Sequence, residues 1–75
     1  MTESETIDVI NKVMGATNLH YTALAVVCGV SSSTTRAVLL TGRLPARSHA
    51  RRRLEEFARA NADARTRGDL RFVDG

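Results

Sequence analysis

Apolar residues recur at a helical step along the first sixteen positions. Ile7, Ile10 and Met14 fall on one face, with Val9 and Val13 beside them. The stretch opens on "TESE", which places Thr2 and Glu5 in the spacing of a capping box. Its acids suit the positive end of a helix dipole. The pattern predicts a helix over 3–16, ended by "GATN". A denser apolar run, "LAVVC", predicts a short helix over 21–28 with Leu24, Ala25 and Val27 or Cys28 turned inward. Gly29 follows where a left-handed residue commonly ends a helix. Then come five hydroxyl residues, Ser31 to Thr35. Ser31 is a good N-cap for a third helix over 32–41, closed by Gly42.

Pro45 stands as a first-turn proline for a fourth helix over 46–66. Ala50, Leu54, Phe57, Ala58 and Ala62 make its apolar stripe, and Gly68 stops it. "DLRFVDG" alternates weakly, so a short strand over 70–73 is expected. A lone strand needs a partner, such as its own copy in a dimer, or it folds back on the last helix. The expected fold is all-α, a single domain over 1–75 with four helices. Residues 68–75 form a tail open to a dimer contact.

Length and composition narrow the function. A chain of 75 residues is one domain, and a domain of that size buries only roughly 60% of its unfolded surface. Cys28 is the one cysteine, so neither an internal disulfide nor a thiolate zinc set can form. Its apolar surroundings make it a core residue. No apolar run approaches the ~20 residues of a membrane span. The acidic "MTESETID" has no signal-peptide pattern, and a cytoplasmic location is expected. Two histidines, one cysteine and scattered acids form no triad, carboxylate pair or metal set. No enzyme activity, cofactor, metal or small-molecule ligand is expected.

The net charge of +3 says less than its distribution. Residues 1–30 sum to −2 and residues 54–75 to −1, whereas residues 31–53 carry six arginines and no acid. A field of one sign over the middle of a small domain points to a polyanion, although a solvated basic face gives the same pattern. Arg51, Arg52 and Arg53 lie about 100° apart on a helix, so they cannot all face one ligand. One of them is expected to pair with Glu55 or Glu56. His49 is within reach of a phosphate or simply exposed.

Two short helices joined by a glycine turn suggest a helix-turn-helix. The stretch "LAVVCGVSSSTTRAVLLTG" resembles that unit in phage Cro-type and lambda-repressor-like DNA-binding proteins. It is similar also to lactose-repressor-type headpieces. Ala25 stands where the family has a small residue, Gly29 at the turn glycine, and Val30 and Val38 at buried positions. Thr35 stands where isoleucine or valine is usual, His20 where Ser or Thr often caps, and Tyr21 where glutamine often stands.

The resemblance implies that helix 32–41 enters the major groove. It places Ser32, Ser33, Arg36 and Ala37 at base edges, with Arg36 best able to discriminate through guanine. Tyr21, Ser31, Thr34, Arg43 and Arg47 become phosphate contacts. Leu39 and Leu40 are undecided between the core, a thymine methyl and a partner. The resemblance also implies a homodimer through the last helix or the tail, with Phe57, Leu70, Phe72 and Val73 as contacts.

The function expected is that of a small Cro-type transcriptional repressor binding a palindromic operator in double-stranded DNA. An antitoxin, an autoregulator or an excision-type accessory factor remains open. So does a protein-interaction module that meets an acidic partner such as polymerase.

Overall fold

The first helix begins where its side chains satisfy its own free amides. In the computed structural model, which describes residues 1–73, α1 spans Glu3–Thr17. Thr2 Oγ1 accepts from the Glu5 amide at 3.1 Å, and Glu5 Oε1 accepts from the Thr2 amide at 3.0 Å. The capping box is therefore complete. Asn18 closes the helix in the left-handed region. Ile7, Ile10 and Val13 are buried, and Val9 and Met14 pack at the edge of the core.

Helix α2 is Tyr21–Cys28 and helix α3 is Ser32–Thr41, as their caps foretold. All four inward candidates on α2, Leu24, Ala25, Val27 and Cys28, are buried. Gly29 takes φ 71°, and its amide and that of Val30 bond back to Ala25 and Val26 carbonyls. The direction of the chain then changes, and α2 and α3 lie at a 118° bend. Val38 is buried and Val30 half-buried. Thr35 is fully enclosed, and its hydroxyl donates to the Ser31 carbonyl at 3.0 Å. That bond explains how threonine fills an aliphatic position without leaving a polar atom unpaired.

Helix α4 is shorter than its apolar stripe suggested, running Ser48–Asn61 rather than 46–66. Pro45 does not start it. Leu44 is buried in the loop after α3, its amide held by the Glu3 carboxylate at 2.7 Å, and the loop runs on through Pro45 before the helix begins at Ser48. Arg47 becomes the N-cap, with no side-chain hydrogen bond. At the other end Asn61 is buried and grips the returning chain. Its Nδ2 donates to the Arg71 carbonyl at 3.1 Å, and its Oδ1 accepts from the Arg71 amide at 2.6 Å. Asp69 accepts from the Arg65 and Thr66 amides and draws Arg67–Asp69 into a 3₁₀ turn, with Gly68 inside it.

The expected strand over 70–73 is not present among the described residues. Its backbone bonds go instead to the Arg67 carbonyl from the Leu70 amide, to the Asn61 side chain from Arg71, and to the Val27 carbonyl from the Val73 amide. Leu70 and Val73 pack against the core. The tail thus folds back onto α4 and α2. The core itself lies where α1 and α2 meet α4, around Phe57, Ile10, Leu24 and Leu54. Among the described residues no single helix is long and apolar enough to cross a membrane.

Candidate nucleic-acid interface

Helix α3 buries only Thr35 and Val38 and leaves the rest of its circumference to solvent or to partial cover. Ser32, Ser33, Arg36 and Ala37 are all exposed. At 3.6 residues per turn they share one outward face. Ser33 and Ala37 form a ridge between two shallow concavities. On one side, about 340 Å³ is lined by Tyr21, Ser32, Ser33, Arg36, Ala37 and Leu40. On the other, a cleft of about 520 Å³ separates α3 from the loop carrying Arg43 and Arg47. The structure therefore brings together the four residues expected at base edges and sets cations beside them.

The expected phosphate contacts differ in what they have to offer. Arg43 and Arg47 are exposed and make no side-chain hydrogen bond or ion pair among the described residues. The Arg43 amide donates to Thr41 Oγ1 at 3.3 Å, which fixes the first step of the loop. Ser31 is committed to its own helix. Its Oγ accepts from the Thr34 amide at 3.2 Å and donates to Thr34 Oγ1 at 2.7 Å. Its hydroxyl proton is thereby used, whereas that of Thr34 is free to turn outward. Tyr21 is half-buried beside His20, with ring centroids 4.6 Å apart. His20 caps α2, its Nδ1 accepting from the Thr22 amide at 3.4 Å.

Arg51, Arg52 and Arg53 separate as their spacing requires, but none pairs with Glu55 or Glu56. Glu56 takes Arg59 instead, at 3.2 Å. Arg51 crosses to Glu3 at 3.4 Å. Arg53 turns over the α2–α3 connection. Its Nη1 donates to the Cys28 carbonyl at 3.3 Å, and its Nε donates to His49 Nε2 at 3.0 Å. A guanidinium can only donate, so His49 Nε2 is the acceptor of that bond. Arg52 is exposed.

Of the expected dimer contacts, Phe57 is enclosed by its own chain at 0% exposure and offers a partner no surface. Its place in the stripe of α4 put it in the core. Leu70 and Val73 are half-buried, and Phe72 stands out at 69% exposure.

Two residues that tie distant parts of the fold together carried no local signal. Glu3 bonds the Leu44 amide, and that bond, helped by Arg51 and Arg43 nearby, holds its carboxyl below the usual range. It therefore stays charged and pins the loop between α3 and α4. Arg67 donates to the Thr17 and Asn18 carbonyls and closes the end of α1. Cys28 is buried, and desolvation pushes its thiol up to about 12, so it stays protonated. Among the described residues no three His, Cys, Asp or Glu side chains meet as a metal site would require.

No protein-family model, curated protein or solved structure matches the chain.

Proposed function

We propose that the protein binds double-stranded DNA in a sequence-specific way through α2 and α3 acting as a helix-turn-helix, and represses transcription by occupying an operator. The observation that carries this reading is the uncovered outer face of α3. Arg36 stands in its middle, and Arg43 and Arg47 lie beside it with no acid bound to them among the described residues. The connection through left-handed Gly29 and the 118° bend support it, since such units join two helices at about 90–120°. In this role α3 lies in the major groove and Arg36 contacts guanine, with Ser32, Ser33 and Ala37 close enough to touch neighbouring bases. Arg43 and Arg47 hold phosphates, which fix register without reading sequence. The protein performs no chemistry of its own.

One helix reads only a few base pairs, so specific affinity calls for a second copy about one helical turn away. The tail supplies the contact. Among the described residues neither backbone group of Phe72 makes a hydrogen bond, and its ring is exposed. Two such segments can pair edge to edge across a two-fold axis.

Selection of bound fragments from random duplex DNA at two salt concentrations tests the reading. An inverted repeat with half-sites about one turn apart is the expected recovery. No salt-sensitive binding to any duplex would overturn it in favour of a protein-binding module. Phe72→Glu should give a folded monomer by sedimentation. A dimer that survives this change uses another surface.

A further inference from the structure

Leu39 and Leu40 part company in the structure. Leu39 packs against the core, whereas Leu40 is 73% exposed. An exposed leucine alone means little. This one lies in register with Ser32 and Arg36, one helical turn apart each time, and shares with them and Tyr21 the concavity of about 340 Å³. It is thus the apolar end of a row whose middle is a guanidinium without a partner among the described residues.

We infer that Leu40 is a base reader, and that its ligand is the 5-methyl group of a thymine in the duplex that α3 engages. This rests on the DNA-binding reading above and names the sequence it selects. The methyl group is the apolar feature of the major-groove code, and guanine O6 and N7 are the acceptors that suit arginine. Ala37 beside the row is small enough to let bases approach. Residues four apart on a helix are separated by about 6 Å along its axis. That is roughly two base-pair steps of about 3.4 Å. The half-site therefore carries a guanine and, roughly two steps away on either strand, a thymine. A second copy of the chain is a poor occupant of this face. A two-fold contact over Leu40 would bring Arg36 towards its own counterpart, like charge against like. A polyanion meets that guanidinium with opposite charge.

The test exchanges each thymine of a selected half-site, one at a time, for deoxyuridine, which lacks only the methyl group. With the wild-type chain one exchange should weaken binding about fourfold, equivalent to about 0.8 kcal/mol for one buried methyl. Leu40→Ala should bind the thymine and uracil duplexes alike. Leu40→Met, which keeps an apolar reach, should retain most of the difference. A selected half-site without thymine, or a uracil penalty undiminished in Leu40→Ala, overturns the inference while leaving DNA binding intact. Loss of self-association in Leu40→Ala with no methyl effect in the wild type also overturns it, and assigns the face to protein. Absence of all duplex binding overturns both this inference and the reading it rests on.

Discussion

Three of the four arginines of α4, Arg52 being the exception with no partner among the described residues, and those of α3 with its following loop are chemically identical and differently employed. On α4, Arg51 bonds Glu3, Arg53 bonds the Cys28 carbonyl and His49, and Arg59 bonds Glu56. Arg36, Arg43 and Arg47 make no such bond among the described residues. The first group spends its donors on the fold and the second holds them outward. A basic patch is thus defined less by how many arginines a stretch contains than by which still have free donors. The two groups also differ in what lies beneath them. α4 covers Leu54, Phe57 and Ala58, all fully buried, while α3 inserts only Thr35 and Val38.

The largest expected effect follows from that difference in burial. Phe57→Ala should cost about 3–5 kcal/mol of stability in urea unfolding, because the cavity left at the centre of three helices cannot close. In a domain of this size that is most of what holds it folded. Arg36→Ala should leave stability within about 0.5 kcal/mol of the parent. The comparison breaks if Arg36→Ala destabilises the protein as a core change does.

Next in size is the α2–α3 connection, where an arginine of the first group touches the scaffold of the second. A Cβ on Gly29 would lie 2.6 Å from Arg53 Nη1, and Gly29 already has positive φ. Gly29→Ala should therefore cost about 1–2 kcal/mol from backbone strain alone, and more while Arg53 is in place. In an Arg53→Ala background the cost should fall. A double-mutant cycle reads the coupling, expected at about 0.5 kcal/mol or more. Strict additivity would mean that Arg53 does not sit over the turn in solution.

How much of this was legible in the sequence follows from the range of the contacts involved. Thr2 with Glu5, Gly29, and Ser31 act within a turn of where they stand, so three helices could be placed from their caps. The ends of α4 could not. Its start depends on Leu44 being buried under a bond to Glu3, 41 residues away, and its end on Asn61 holding Arg71. The outer face of α3 was expected too, because the helix-turn-helix resemblance put Ser32, Ser33, Arg36 and Ala37 on it, and all four are exposed. Which arginines remain free was not. The partner of Arg51 lies 48 residues off and the carbonyl partner of Arg53 lies 25 off, and the nearby Glu55 and Glu56 drew attention to pairs that do not form. Phe57 and Phe72 are both apolar aromatics, and only packing separates the core residue from the exposed one.

Within the outward group the proposed roles differ, Arg36 reading bases and Arg43 holding phosphate. Arg36→Ala should lower binding to the selected site by about 1–3 kcal/mol and relax its sequence preference. Arg43→Ala should weaken all duplexes alike and reduce the slope of log affinity against log salt by about 1. Titrations at several salt concentrations, with selected and scrambled duplexes, separate the two. If both variants lose the same factor on scrambled DNA, Arg36 is not a reader.

The smallest expected effect concerns Glu3, the one acid that belongs to both groups, since it bonds Arg51 and the loop next to Arg43. The Leu44 amide, and then Arg51 and Arg43, lower its carboxyl in the folded protein below the ordinary value of 4.5. A carboxyl lowered on folding adds stability that is fully present above its unfolded value. That stability is lost as pH falls through the folded one. Glu3→Gln retains an oxygen that can accept from Leu44 but carries no charge. It should be less stable than the parent at pH 7, and the two unfolding curves should converge as pH falls below 4.5 and through the lowered folded value. The same change removes a negative charge bonded to the loop that carries Arg43, so scrambled DNA should bind slightly more tightly at neutral pH even as the fold weakens. A stability gap that stays constant as the solution is acidified well below 4.5 would mean that Glu3 acts through shape alone. The two groups of arginines would then have no charged link between them.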